Sequence, residues 1–259
     1  MIKYATIVLS FALVAQLDRV SGYEPEGQRF ESSPVRCEAS RCDFLRIERH
    51  PLFLIECFPS GPLANNTYVL VSAGEAVVID PGPSCEKEVC SFLSEELLSL
   101  KAIWITHSHL DHFAGCKKLV DTFHVPVAIS ALDAPNLEQP GKDKIDLWIK
   151  CEAVTPTFLL RDKDSLSCGE SIWTVIHTPG HSPGSCCFYN AEENALFSGD
   201  TLFRGTYGRC DFPFSDSHLM AESLHKLSLL PEETVVYPGH GPSTTIGREK
   251  SWMIKIQEK

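Results

Sequence analysis

Seven side chains able to bind a metal ion fall in four short segments of this 259-residue chain. The densest segment is His107-Ser108-His109-Leu110-Asp111-His112. The others centre on His181 in Thr178-Pro179-Gly180-His181-Ser182-Pro183-Gly184, Asp200 in Ser198-Gly199-Asp200-Thr201, and His240 in Pro238-Gly239-His240-Gly241. Imidazole and carboxylate together suit zinc, iron and manganese, and so many donors exceed what one tetrahedral ion takes. The set fits two ions. Any one of these histidines alone would read as a core or solvated residue; clustered with an aspartate and flanked by glycines, they do not.

The elements around these segments must position them. Side chains alternate in an extended segment, so His107 and His109 project to one side and can share an ion. Asp111 and His112, in the turn that follows, can reach a second ion beside it. Gly180, Gly199, Gly239 and Gly241 fit the backbone freedom such turns need. From residue 53 onward, short apolar runs alternate with amphipathic stretches. Residues 67–72 and 76–79 read as strands around a turn at Ala73-Gly74. Helical spacing covers 86–100 with Ser84 as N-cap, and a strand over 102–106 runs straight into His107. A helix over 113–123 leads to a strand over 125–129. Residues 131–152, with Pro135, Pro140 and Gly141, read as an irregular excursion over the surface. Strands over 171–177, 185–189 and 195–198, a helix over 219–229 and a strand over 234–237 follow. Each metal-binding segment thus comes after a strand, which places ligands on loops held by a rigid sheet.

Composition bounds the class of protein. With 43% hydrophobic and 22% charged residues, the chain is of ordinary globular type and long enough for ample core. Residues 1–50 carry seven basic and seven acidic side chains, so the net charge of −11 belongs to the remainder. An acidic body argues against nucleic acid as a partner, because phosphate backbones demand clustered Lys and Arg. Outside the N-terminal apolar run, no segment approaches the ~20 apolar residues of a membrane span. The eleven cysteines are odd in number and include no CxxC pair. They read as reduced, mostly buried thiols of a cytoplasmic protein.

The N-terminus imitates a secretory signal, with Lys3 ahead of an apolar run from Tyr4 to Ala15. The stretch after it resembles a tRNA gene read as codons. Phe30-Glu31-Ser32 can be TTC-GAA-TCC, the T-loop core, and Leu17-Asp18 can be TTG-GAT, with the D-loop GG, at about the separation that a cloverleaf with one extra D-loop base requires. On this reading residues 1–52 are a non-native extension, spurious from about Leu13 to Cys37, and the signal is an artefact of start-site assignment. The native protein then begins near Leu52 or Leu54 and is a single domain over 53–259. A different nucleotide string beneath Phe30-Glu31-Ser32 would end the idea.

The series Asp80, His107-x-His109-x-Asp111-His112, His181, Asp200, His240 resembles the metallo-β-lactamase fold superfamily in its short, single-domain glyoxalase II-like branch. The resemblance covers residues 55–250. It implies an α+β fold, a four-layered αββα sandwich with the site at one edge of two sheets. It further implies that His107, His109 and His181 hold one metal, that Asp111, His112 and His240 hold the other, and that Asp200 bridges both. Asp80 would orient the histidine loop from behind. Arg204, Tyr207 and Arg209, just past the bridging aspartate, are the residues expected to meet an anionic substrate, with an Arg209–Asp211 ion pair as the plainer alternative. Antibiotic-cleaving relatives generally lack the bridging aspartate and nuclease relatives carry a basic surface or added domain, so both classes are disfavoured. Only 19 residues follow His240, too few for the helical domain that gives full glyoxalase II enzymes much of their glutathione-binding surface.

Two metals sharing a hydroxide make a nucleophile at neutral pH and polarise an acyl oxygen. Asp111 is the expected general base or proton shuttle. A thioester suits such a site, because a thiolate leaves without a strong general acid and the motifs contain no obvious one. The reading is a binuclear hydrolase of thioesters, S-(2-hydroxyacyl)glutathione first, with zinc first and iron or manganese as the other ions. A persulfide dioxygenase using one iron held by two histidines and an aspartate is the alternative, as is a broader thioesterase or esterase.

Overall fold

Apolar runs rich in Val, Ile and Leu build two mixed β-sheets, whose facing surfaces and outer surfaces both carry buried side chains. The computed structural model describes residues 48–49, 52–145 and 148–256, all within one unit spanning Arg41–Lys259. The expectation of a foreign extension over 1–52 lies outside these residues, apart from Glu48, Arg49 and Leu52. The first sheet runs in sequence order: β1 (Glu48–Arg49), β2 (Leu54–Ser60), β3 (Asn65–Ser72), β4 (Glu75–Ile79), β5 (Ser99–Trp104), β6 (Val127–Ser130) and β7 (Phe158–Leu160). Pairing is antiparallel through β4 and parallel from β4 to β7. The second sheet holds β8 (Ser165–Cys168), β9 (Ser171–His177), β10 (Cys186–Asn190), β11 (Ala195–Gly199), β12 (Val235–Pro238) and β13 (Thr244–Thr245) in reverse order, β13 to β8. Only β11 and β12 pair in parallel there.

Three buried clusters mark three interfaces between four layers. Between the sheets lie Tyr68 and Trp104 from the first and Trp173, Phe188 and Phe197 from the second. Outside the first sheet, Val78 and Ile129 pack with Val89 of α1 (Glu86–Glu95), Phe113 of α2 (Leu110–Phe113) and Leu119 of α3 (Cys116–Phe123). A short α4 (Ala134–Glu138) follows β6. Outside the second sheet, Leu196 and Val236 meet Met220 and Leu224 of α5 (Ser217–Ser228) and Met253 of α6 (Ile246–Lys255). Strands covered on both faces read as continuous apolar runs rather than alternating ones; Ala195–Gly199 is buried at every residue. Each large side chain buried this way contributes ~1.5–3 kcal/mol. The layering is the αββα sandwich.

Several element boundaries differ from expectation. The helix expected over 86–100 ends at Glu95, because Leu97 takes a left-handed φ of 54° and Ser99–Trp104 pairs with β4 instead. Ser84 does not cap it; Cys85 stands at that position with no side-chain capping hydrogen bond, while Ser84 has a φ of 65°. The helix expected over 113–123 is broken at Ala114-Gly115. There the Gly115 N–H donates to Pro81 O, and a Cβ would meet Cys85 Sγ at 2.7 Å. Residues 131–152 are not a surface excursion throughout, since Asp133, Asn136 and Leu137 of the α4 turn are buried. No helix among the described residues is long and apolar enough to cross a membrane. All nine cysteines among them are free thiols, with Cys85, Cys116, Cys168, Cys186 and Cys187 buried.

Candidate metal centre

The ends of β4, β5, β9, β11 and β12 deliver the site. Beyond β5, His109 is extended and stands at the N-cap of α2, so the helix's first turn presents Asp111 and His112. The ring nitrogens of His107, His109 and His181 supply one group of atoms within 4.8 Å of one another; Asp111, His112 and His240 supply another. Asp200 stands between them. Its Oδ2 is 3.4 Å from His181 Nε2 and 3.6 Å from His240 Nε2, and its Oδ1 is 3.3 Å from His112 Nε2. Asp111 Oδ2 lies 3.2 Å from His240 Nε2. All seven are buried except His240, whose side chain is 24% exposed and marks the open side.

Hydrogen bonds behind the rings decide which nitrogen faces inward. Carbonyl oxygens only accept, so Nδ1 of His181 donates to Arg209 O at 2.8 Å and Nδ1 of His240 donates to Leu63 O at 3.0 Å. Asp80 accepts from Nδ1 of His112 at 2.9 Å, from Thr106 N at 2.7 Å and from Thr106 Oγ1 at 2.6 Å. With its proton so used, Thr106 Oγ1 accepts from His107 Nδ1 at 3.1 Å. Four imidazoles therefore turn Nε2 toward the interior, which is how outer hydrogen bonds prepare metal ligands. Asp80 itself takes a φ of 49°, with its carbonyl accepting from Asn65 Nδ2 and Thr67 Oγ1.

The donor set fits a pair of cations. His107 Nε2, His181 Nε2 and Asp200 Oδ1 are buried with no hydrogen-bond partner, an expensive condition unless an ion occupies the space they face. Burial, reinforced by the neighbouring His112 and His109, holds His107 well below the usual imidazole range. Burial and the charge of His181 push His109 down to about 3. Both are thus neutral, as ligation requires. Burial also opposes charge on His112, but Asp200 and Asp111 outweigh it and hold that imidazole well above its ordinary value. Burial pushes Asp200 up, yet His112, His107 and His181 keep its carboxyl well below the carboxylate range. Asp111 is lowered in the same way, mainly by His112 against its burial. Two buried carboxylates set among the histidines favour a cation at this place.

Gly239 is needed for space rather than for a left-handed backbone. A Cβ there would overlap Asp200 Oδ1 and meet His112 Cε1 at 2.6 Å, whereas Gly180, Gly199 and Gly241 do have positive φ.

Four residues outside the motifs hold the loops together. Asp133 Oδ2 accepts from Ser108 N and Ser182 Oγ, both at 2.8 Å, and its Oδ1 accepts from Gly184 N at 2.7 Å. Asn136 Nδ2 donates to Ser108 O at 2.6 Å. Asn66 donates to Gly239 O, Pro238 O and Gly241 O, and Tyr68 OH donates to Pro238 O, so the first sheet grips the His240 turn of the second. Their partners lie so far away in the chain that no local pattern signals them.

Arg204, Tyr207 and Arg209 sit on the exposed loop after Asp200. Arg209 donates from Nε and an Nη to the two carboxylate oxygens of Asp211, both at 2.8 Å, and its guanidinium lies 4.4 Å from the Phe212 ring centre. Tyr207 stacks on Trp252. Gly205, beside Arg204, donates its N–H to Glu249 of α6.

The profile of the Metallo-beta-lactamase superfamily matches residues 60–240. A hydroxyacylglutathione hydrolase of Francisella tularensis subsp. novicida (strain U112) is 32% identical over 183 residues, 71% of this chain and 65% of that protein. Among solved structures, the B3 metallo-beta-lactamase BLEG-1 superposes with a TM-score of 0.72 at 39% identity, over 78% of this chain and 99% of its own. TTHA1623, solved in a di-iron-bound form, superposes with a TM-score of 0.67 at 38% identity, over 74% and 96% of the two chains.

Proposed function

We propose that this chain, which belongs to the metallo-beta-lactamase superfamily, is a binuclear thioesterase that cleaves S-(2-hydroxyacyl)glutathione to glutathione and a 2-hydroxy acid. That it is a metallo-hydrolase with metal-binding His and Asp groups follows from the family and the two donor clusters. The observation that carries the binuclear reading is Asp200, which faces His181 with one oxygen and His112 with the other. In this reading His107, His109 and His181 would hold one ion, Asp111, His112 and His240 would hold the second, and Asp200 would be shared between them. Zinc is the proposed metal, with iron the rival that the di-iron neighbour raises.

When bound by these residues, two divalent ions would supply an activated water at neutral pH, with its pKa lowered to ~7, and would polarise an acyl oxygen. The chain's own residues supply the rest. Asp111, whose carboxyl lies below its ordinary range, would orient the attacking water and take its proton. Asp80 fixes the ring of His112 from behind. The leaving group is a thiol of ordinary pKa ~8.5, so it departs as thiolate without a strong acid. The name of the Francisella relative supports the thioester. Cytoplasmic location and a small-molecule partner, with no role for nucleic acid or membrane, complete the proposal.

A second activity is favoured by the neighbour named as a B3 metallo-beta-lactamase at 39% identity. That likeness weakens the expectation that antibiotic-cleaving chemistry is disfavoured for this chain. The test assays the purified protein, supplied in turn with zinc, iron and manganese, on S-lactoylglutathione, on a chromogenic cephalosporin and, for oxygen uptake, on glutathione persulfide. Chelator-sensitive thioester hydrolysis supports the proposal. Hydrolysis of the cephalosporin alone, or oxygen uptake with iron alone, would overturn it.

A further inference from the structure

A cavity of about 430 Å³ opens beside His109 and His181. Its walls include Leu132, Pro183, Pro213 and Phe214, and Lys142 and Lys144 stand at its edge. Arg204, Tyr207 and Arg209 do not line it. The two lysines flank Asp143, and that turn is built onto the metal loop. Asn136, which is 5% exposed, donates from Nδ2 to Ser108 O and to Asp143 Oδ2 at 2.9 Å, and its Oδ1 accepts from Asp143 N at 3.1 Å. Ser108 lies between His107 and His109, so one buried amide sets the distance from the lysine turn to the donors. The Lys144 ammonium lies 5.8 Å from the centre of the Phe214 ring, at the range of a cation–π contact.

The charges lining this cavity are unequal in their availability. Both oxygens of Asp133 are occupied by Ser108, Ser182 and Gly184. Asp143 spends its oxygens on Asn136 and on the N–H of Ile145. Both lysines are exposed, and no carboxylate is paired with either among the described residues. The cavity of a chain with net charge −11 is therefore edged by two available cations, while Arg209 is paired with Asp211. We infer that this cavity is the subsite for the carboxylate-bearing arm of the substrate's thiol carrier, with Lys142 and Lys144 as its partners and the apolar walls covering the chain between. The inference rests on the thioesterase reading for the identity of the carrier. Lys142 and Lys144 then determine specificity for anionic over neutral thioesters.

The test titrates S-methylglutathione, a thioether that cannot be hydrolysed, into the metal-loaded full chain by calorimetry, alongside K142Q/K144Q and R209Q. Two solvent-edged ion pairs lost together should weaken binding about three- to tenfold, and wild-type affinity should fall with added salt. Metal content and melting temperature should be unchanged in both variants, and R209Q should bind as the wild type does. Equal affinity in wild type and K142Q/K144Q, a wild type that does not bind, or a loss confined to R209Q would each overturn the subsite. Turnover is read separately. A protein that binds through these lysines yet cleaves no thioester would sink the thioesterase proposal and leave the subsite standing. One that cleaves charged and neutral thioesters with the same KM in both forms would do the reverse.

Discussion

The carboxylate of Asp133 accepts a 2.8 Å hydrogen bond from the backbone N–H of Ser108, the residue between His107 and His109. Through Ser182 and Gly184 the same carboxylate grips the loop of His181. Two ligand loops from different sheets thus share one buried anion. Removing it leaves buried donors unpaired, at ~1–3 kcal/mol for each. We predict that Asp133→Ala lowers thermal stability and weakens binding of the metal near His107, His109 and His181, with Asp133→Asn intermediate. Chelator competition on both variants checks this; wild-type metal affinity in Asp133→Ala would remove the clamp from the account.

Asp200→Ala should lose at least one metal per chain in elemental analysis, because each oxygen faces a different histidine cluster. Retention of both ions with full turnover would refute the bridging assignment.

Asp80→Asn should weaken metal binding by about 10- to 100-fold, the usual effect of losing the partner of a metal-bound histidine. Its Oδ2 is the acceptor for His112 Nδ1, and an amide in its place can turn a donor toward that ring. The decisive measurement is the affinity of the second ion, and no change there would mean that His112 is held by packing alone.

Gly239→Ala tests space at the centre. The added methyl would overlap Asp200 Oδ1 and meet His112 Cε1 at 2.6 Å, displacing the proposed shared carboxylate and one ligand of the second ion. Circular dichroism should stay that of the wild type while metal content drops. Full metal loading would show that the β12 turn can shift to make room.

Metal removal should also be visible as stability. A ligand at a hundred times its Kd that binds only the folded state adds ~2.7 kcal/mol, which in a domain of this size corresponds to roughly 5–10 °C in Tm. The zinc- or iron-loaded protein should melt higher than the chelated one by that order, and Asp200→Ala should show a smaller difference. Identical melting curves for loaded and chelated wild type would argue that no ion is held tightly.

The donor types and their places along the chain can be read from the sequence alone. His107 to His112, His181, Asp200 and His240 were legible because ligand types are few and each follows an apolar strand, a pattern carried by neighbouring residues. Most of the strands and the helix Ser217–Ser228 were legible for the same local reason. Tertiary structure decided what surrounds those donors. The helix expected to run through Leu100 stopped at Glu95 because Ser99–Trp104 found a partner in β4, and pairing across a sheet is not written in local spacing. Asp133 meets Ser182 across 49 residues and Asn66 meets Pro238 across 172. Asn136, in a stretch that reads as surface loop, instead joins Lys142 and Lys144 to the histidine loop. A buried carboxylate or amide is specified by the donors that converge on it from several segments, and that convergence exists only once both sheets have packed.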